Sequence, residues 1–422
     1  MRRRAAPVPS AFAVRTSPDL PQPVVRAVSL FRDRSFVAAL VVAVVVALGF
    51  GLIVPLLPQF ARSFGVSLFA ATAVVSVFAG VRLASNLVAG SLADRIGTRR
   101  AIAWGVLVVG ASSAAIAGAP SYAVLVTVRG LGGFGSALFS NALLTFVVSR
   151  VQAEQRGQAV GMLHGAFMVG LAFGPSVGGL LAQPLGLRWP FAIYGVLCAA
   201  AGLVALGFLP PASAARSMPN VDLARTARLA SLLQLCRNEA FVAALVMIGA
   251  LRWAAAGVRD SLVPLFGSEV VGATPSIIGL SLTLAAIAQL VLVWPAGKVA
   301  DRFGRRALAW PGFLLFAVIV LVGPWARSVP AFLALLTLYG ISTGLVSVAP
   351  AAIIGDVVPP GRSGIGVGAL STAGDLGSVL GPLVSGWLAD QAGYSWAFGA
   401  SAALLLFASA TAFRMRETLP RH

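Results

Sequence analysis

Residues 90–100 read GSLADRIGTRR, and residues 297–306 read GKVADRFGRR. Both stretches follow a long apolar run, and both set Gly, Ala-Asp-Arg and Gly at the same spacing. Gly90 maps to Gly297, Asp94 to Asp301 and Gly97 to Gly304, each 207 positions on. The same offset carries Gly170 to Gly377, Gly174 to Gly381, Pro175 to Pro382, Gly179 to Gly386, Trp189 to Trp396 and Phe191 to Phe398. It slips to 206 for Gly51 to Gly257 and Pro58 to Pro264. An offset held over four separate segments marks a duplication, so the chain is two related halves.

Each half is built for a membrane. Of 422 residues 58% are hydrophobic and 10% charged, against about a quarter charged in a soluble protein. Apolar runs long enough to span a bilayer recur twelve times, near 36–60, 69–93, 101–118, 121–149, 157–182, 189–209, 240–266, 275–299, 307–325, 330–355, 363–389 and 395–413. Six spans per half is an even number, so both halves cross with the same orientation and form parallel repeats about an axis normal to the membrane. The expected fold is all-α, with twelve transmembrane helices in two pseudo-symmetric six-helix bundles. The organisation is a tail at 1–35, a bundle at 36–209, a linker at 210–239, a second bundle at 240–413 and a tail at 414–422.

Of 31 Lys+Arg, Arg62, Arg188 and Arg327 fall in loops on one side and Arg82, Arg129, Arg252 and Arg259 within spans. The other 24 lie on the opposite side, which the positive-inside rule makes cytoplasmic, together with both termini. The net charge of +18 is therefore topogenic, and its spread over separate loops argues against nucleic-acid binding. The first 35 residues are basic and Pro-containing and read as a disordered tail, and the first apolar run reads as an uncleaved span rather than a signal peptide. In the linker, Leu229, Leu232, Leu233 and Cys236 recur at helical spacing, while Arg225 and Arg228 face elsewhere. That pattern suits an interfacial amphipathic helix on an anionic leaflet, or a plain helical linker. Cys198 and Cys236 imply neither a disulfide framework nor a metal site.

Taken together, the twelve spans, the parallel repeats and the G-x-L-A-D-R-x-G-x-R-R loop resemble the major facilitator superfamily over residues 36–413. That resemblance implies two bundles around a central cavity that opens alternately to either side. The loop residues Gly90, Asp94, Arg95, Gly97, Arg99 and Arg100, with Gly297, Asp301, Arg302 and Gly304 in the copy, are then conformational latches of the outward-open state. A carboxylate at Asp94 suits a helix N-terminus or an arginine of the other half. Span five, GMLHGAFMVGLAFGPSVGG at 161–179, resembles the motif of the superfamily's antiporters through Gly161, Gly170, Gly174, Pro175, Gly178 and Gly179. Its glycines form a smooth stripe and Pro175 bends the helix, a shape expected at a bundle interface that seals and rocks. The opposing reading is ordinary small-residue packing, which the copy Gly377-x-x-x-Gly381-Pro382 favours. RGLGGFGSA at 129–137 resembles the R-x-x-Q-G-x-G motif tied to proton coupling, with Gly132 in place of the glutamine. GFGLIVPLLPQFA at 49–61 resembles the first span of the twelve-span drug:proton antiporters.

Ionisable residues at membrane depth are costly and so are functional candidates. Six qualify: Arg82, Arg129, Arg252, Arg259, Asp260 and Asp375. Helical rise places Arg82 about 18 Å from Asp94 and Asp375 about 20 Å from Arg362, so in the superfamily fold the two meet near the midplane. Arg252 competes for the same carboxylate. Asp375, Arg129, Arg82 and Asp260 are the proton-coupling candidates; Arg252, Arg82, Ser140, Asn141 and Tyr339 are the cavity candidates. His164 reads as packing and Arg259–Asp260 as an outer-end pair. Four arginines against two aspartates disfavour a lipophilic cation, and the N-terminal half carries no acidic residue at depth, a departure from exporters of cationic drugs.

The expected function is proton-coupled export of neutral or anionic amphipathic small molecules by a monomer of the inner (plasma) membrane, with protons and membrane lipid as its other partners. No cofactor, metal or catalytic group is expected. The alternative is a proton symporter or facilitator for an organic anion or metabolite; a receptor or an intramembrane enzyme is remote.

Overall fold

The computed structural model describes residues 32–152, 155–211, 231–359 and 362–419. The N-terminal tail before residue 32, and the linker stretch that carries Arg225, Arg228 and Leu229, lie outside the described residues. Among those described, twelve helices are long and apolar enough to cross a membrane. They are α1 (Arg34–Arg62), α2 (Leu68–Ile96), α3 (Thr98–Ala117), α4 (Tyr122–Ser149), α5 (Arg156–Leu185), α6 (Trp189–Phe208), α7 (Glu239–Glu269), α8 (Pro275–Phe303), α9 (Arg305–Trp325), α10 (Val329–Val357), α11 (Ser363–Ala392) and α12 (Tyr394–Arg414). Twelve crossings put both ends of the chain on one face, here the terminal face; the other is the far face.

Polar caps start these helices. Ser67 accepts from the Ala70 amide at α2, Ser121 from Val124 at α4, Asn238 from Ala240 and Phe241 at α7, and Thr274 from Ile277 at α8. Asp33 caps α1 by accepting from the Ser35 amide at 2.8 Å. Burial alone would favour its protonated form, but hydrogen bonds from Ser35 and the charge of Arg150 hold the carboxyl below its ordinary value. Glycines in the left-handed region end four helices: Gly97 after α2, Gly186 after α5, Gly304 after α8 and Gly393 after α11. With Gly65 and Gly272, all six positive-φ glycines pair at the 207 offset, so the duplication is written in the backbone.

Each half buries its own core. Phe36, Leu52, Phe139, Phe146, Phe191 and Tyr194 belong to the first, and Phe241, Phe313, Phe316, Phe332 and Phe398 to the second. Water does not drive these contacts in a bilayer; close packing does. Glycine lets the helices approach: a Cβ on Gly105 would stand 2.6 Å from the Phe139 amide, and one on Gly110 2.6 Å from Cys198 Cβ.

The halves meet through α2 against α11 and α5 against α8. One expectation needs correction. Residues 90–96 are the last turns of α2, not a loop, and only Gly97 turns. The described end of the linker, 231–235, is helical, with Leu235 buried in the second core and Leu233 61% exposed.

Candidate functional site

Contacts between the halves gather from the midplane to the far face. At the far end Arg62 pairs with Glu269 at 2.9 Å, and the Tyr394 hydroxyl donates to the other Glu269 oxygen at 2.7 Å. The Leu68 amide, first in α2, donates to Asp390 at 3.1 Å. Ser276 donates to Gln183 and to the Gly179 carbonyl, and the Ser176 amide donates to Thr283. Deeper, Ser76 donates to the Val379 carbonyl at 2.6 Å. Towards the terminal face the halves part. A Cβ on Gly90, Gly157, Gly161, Gly165, Gly364 or Gly368 would meet open space. Leu87 on α2 and Trp294 on α8 are 88% and 70% exposed. The space between the bundles is thus sealed at the far face and open at the terminal face.

At its head stands an ion pair across the halves. Arg82 on α2 donates to Asp375 on α11 at 2.9 Å. Arg252 on α7 lies beside them within reach of the charges of Arg82, Asp375, Arg259 and Asp260. Its stem runs past Gly374, where a Cβ would come within 3.2 Å of Arg252 Cγ. The residue is exposed overall and has no ion-pair or hydrogen-bond partner among the described residues. Two guanidinia and one carboxylate therefore face the opening, an uncompensated positive charge in a medium of low dielectric.

The other charges at depth are already engaged. Arg259 and Asp260 hold each other through two hydrogen bonds, at 2.7 and 3.3 Å. They sit in a π-helical stretch, Ala254–Leu262, a distortion often found at functional sites. No feature of the sequence announced it. Arg129 is 2% exposed inside the first half, with its guanidinium carbon 4.0 Å from the Phe78 ring centre and 5.7 Å from that of Phe50. Aromatic faces replace a carboxylate there, and its buried Nε has no acceptor. The structure joins Arg82 to Asp375, while Asp260 bonds Arg259 and Arg129 packs on aromatic rings.

One cavity candidate, Tyr339, falls elsewhere. Tyr339 is 4% exposed and packs edge-on against Phe316 in the second core, so it lines no opening: α10 turns this face into its own bundle. Asn141 donates to the Asn86 carbonyl, tying α4 to α2, and Ser140 donates to the Ala137 carbonyl of its own helix.

The glycine stripe of α5 also sits differently from expectation. Gly170, Gly174 and Gly178 face α1 of their own half: a Cβ on Gly174 would stand 2.5 Å from the Leu48 carbonyl oxygen. The copy repeats this, with Gly381 against Trp253 and Gly257 of α7. Residues four apart stay on one face, whereas Gly179, about 100° further round, meets Pro275 and Ser276 of α8, as Gly279 meets Pro175. The stripe is intrabundle packing, and the crossing between halves belongs to Gly179 and Gly279. Sequence reading missed Gly279, whose neighbours at four-residue spacing, Pro275, Thr283 and Ile287, form no small-residue stripe.

The two loop copies differ in partners. Asp94 is exposed, and no described residue bonds it. Arg95 and Arg100 are likewise exposed. Asp301 is bound by Arg305 of the next turn, and Arg305 also donates to Asp356 at 3.2 Å. Glu417 accepts from the Arg305 and Arg306 amides at 2.8 and 3.0 Å and so caps α9. At the 207 offset the first half has Thr98, Ser149 and Pro210 where the second has Arg305, Asp356 and Glu417. Arg302 stacks on Phe303, and Lys298 lies 3.5 Å from the ring centre of Trp294.

A family model described as Major Facilitator Superfamily matches residues 39–269 and 251–422. Multidrug resistance protein 2 of Bacillus subtilis is 22% identical over 81% of this chain and 86% of its own. The multi-drug resistance efflux pump PmrA homolog of Lactococcus lactis is 27% identical over 82% and 85%. A solved bacterial homolog of the human lysosomal transporter Spinster, inward-facing and unoccupied, superposes with a TM-score of 0.76 at 15% identity, over 91% of this chain and 96% of that one.

Proposed function

Because the chain belongs to the Major Facilitator Superfamily, we propose that this membrane transporter is a proton-coupled exporter of amphipathic small molecules, neutral or anionic rather than cationic. The observation that carries the reading is the Arg82–Asp375 pair, which joins the halves at the head of a space open to one face. The arginine distribution supports a cytoplasmic terminal face, and on that reading the arrangement is inward-open in an inner (plasma) membrane.

Substrate enters from the cytoplasm, and Arg252 offers an unpaired guanidinium to an acidic group. Closing the terminal face while opening the far face draws α2 and α11 apart at the level of Arg82. Substrate leaves outward, and Asp375, released from its arginine, takes a proton from outside. Return to the present arrangement re-forms the pair and expels the proton to the cytoplasm. One proton enters for each substrate that leaves. The names of the Bacillus and Lactococcus relatives, both drug-resistance proteins, support export. The unpaired Arg252 suits a symporter or facilitator for an organic anion equally well, and the direction of flux separates the two.

The test is purified protein in liposomes under an imposed pH gradient, screened with cationic, neutral and anionic amphiphiles. The reading expects gradient-driven outward transport of neutral or anionic compounds, abolished in Asp375→Asn. High-affinity transport of a lipophilic cation, indifferent to substitution of Arg82 or Arg252, would overturn it.

A further inference from the structure

The duplication offset changes along the first helix of each half, and the change has a definite place. Residues 36–41 and 241–246 both read FVAALV, 205 positions apart. By Gly51 and Gly257 the offset is 206. The glycines packed on these helices locate the step. A Cβ on Gly170 would meet Val44 and Leu48 of α1, and one on its copy Gly377 would meet Gly249 and Trp253 of α7, partners that match at 205. One turn on, Gly174 faces Leu48 and Gly51, and its copy Gly381 faces Trp253 and Gly257. Leu48 to Gly51 is three residues, whereas Trp253 to Gly257 is four. Helix α7 has therefore gained one residue between Trp253 and Gly257, with the packing on either side kept.

A helix absorbs such an extra residue as a π turn, and the π stretch Ala254–Leu262 begins at this point. The Val263 amide donates five residues back, to Val258, and the buried Ser261 hydroxyl also donates five residues back, to the Ala256 carbonyl, at 2.7 Å. The consequence falls on the residues between. At the 206 offset Arg259 and Asp260 match Ile53 and Val54, which are buried in the first half. The side chains of Arg259 and Asp260 are instead 31% and 22% exposed. Charge driven into an apolar core is costly, and the widened turn gives these two side chains a way out.

We propose that the inserted residue turns Arg259 out of the second core to act as a specificity-determining residue, which with Arg252 receives the acidic group of a monoanionic amphiphile, while Asp260 is a positioning residue that holds its guanidinium. Arg252 lies within reach of the charges of Arg259 and Asp260. Asp260 takes Nε and Nη2 of Arg259, and Nη1 bonds no described residue. With the Arg82–Asp375 pair, three arginines and two aspartates leave one positive charge uncompensated at low dielectric. A single carboxylate or sulfonate balances it and supplies the acceptors that Arg252 and Nη1 of Arg259 lack. The assignment rests on the neutral-or-anionic reading above and narrows it to a monoanion.

Two measurements test it. Thermal unfolding in detergent tests the turn. Deletion of Ala255 gives this part of α7 the length of α1 and should lower the midpoint, because Arg259 and Asp260 are then driven towards the core. Adding Arg259→Ile and Asp260→Val, the residues of the first half, should restore it. A deletion that melts like the wild type, or that the two substitutions fail to rescue, overturns the role of the insertion. Ligand titration in lipid nanodiscs tests the site, with fluorescent anilinonaphthalene sulfonate and its uncharged parent phenylnaphthylamine as a matched pair and empty nanodiscs as the blank. Relative to the parent, Arg259→Gln should weaken sulfonate binding about tenfold, the loss of one charge-assisted contact. Arg259→Lys should recover part of that loss, and Asp260→Asn, which unmasks the arginine, should tighten binding. Either substitution breaks the pair, so a merely structural pair would shift both variants in the same direction. That result, or a wild-type protein that does not bind the sulfonate, overturns the assignment. Ser76 is 3% exposed beneath the far closure. In a Cys236→Ser background, a Ser76→Cys reporter labelled on intact cells with a membrane-impermeant maleimide follows the outward-open population. Its labelling rate should be unchanged in Arg259→Gln and Asp260→Asn; affinities that merely track labelling would trace to a population shift and overturn the site. Sulfonate binding that shifts as stated with no pH-driven flux would refute the exporter reading alone; pH-driven flux with sulfonate binding unmoved would remove this assignment alone.

Discussion

Gly174 and Gly179 stand five residues apart on α5, and alanine at each should do a different thing. A Cβ on Gly174 would lie 2.5 Å from the Leu48 carbonyl oxygen and 2.7 Å from the Gly51 Cα. Both are backbone atoms of α1 in the same bundle, so no rotamer change relieves the overlap. A Cβ on Gly179 would press on the Pro275 carbonyl and stand 2.9 Å from the Ser276 Cα. Those atoms belong to α8 in the other half, and the halves separate during transport. Overpacking of this kind costs about 1–3 kcal/mol. In Gly174→Ala that cost falls on the folded bundle, and the midpoint of thermal unfolding in detergent drops. In Gly179→Ala it falls only on the state with the far face closed. The ratio of outward-open to inward-open molecules should rise by roughly 5- to 150-fold, since about 1.4 kcal/mol is a factor of ten. The paired assay is thermal unfolding alongside far-side labelling of the Ser76→Cys reporter. A Gly179→Ala protein that melts as early as Gly174→Ala, with labelling unchanged, would refute the assignment of these glycines to separate interfaces.

The two loop aspartates should differ as well. Asp94→Asn should slow transport with insertion and folding retained, whereas Asp301→Asn should change rate less, because Asp356 still holds Arg305; initial flux rates compare them. Glu417→Ala removes both acceptors at the start of α9 and should cost about 1 kcal/mol of stability, as loss of a helix cap does. It should appear as a lower unfolding midpoint, with the far-side labelling rate unmoved.

Much of this fold is legible in the residues because a bilayer constrains sequence strongly. Runs of apolar residues, basic loops and a repeated glycine-aspartate pattern are imprints of length, topology and duplication. Even so, α2 and α8 run to Ile96 and Phe303, beyond their apolar runs. Helical hydrogen bonding continues through Ala-Asp-Arg until a glycine with positive φ ends it. The meeting of Arg82 with Asp375 was legible because charge at depth is rare and the fold sets α2 against α11. The burial of Tyr339 was not, since facing a core or a cavity depends on helix rotation, and α10 is apolar nearly all round. Nor were Asp390 and Glu417 legible as caps. A carboxylate at a helix end near the membrane surface looks like any solvated charge until its partner, more than a hundred residues away, is placed beside it. Gly174 and Gly179 look alike in sequence, and only the helix phase separates them.

The central claim is that a proton and a substrate exchange through Asp375 and its arginine. Its most direct measurement uses liposomes holding a pH-sensitive dye and a standing pH gradient, to which a transported substrate is added. The account predicts that substrate dissipates the gradient in the wild-type protein and leaves it intact in Asp375→Asn. Substrate movement with no proton movement, or gradient collapse undiminished in Asp375→Asn, would contradict it.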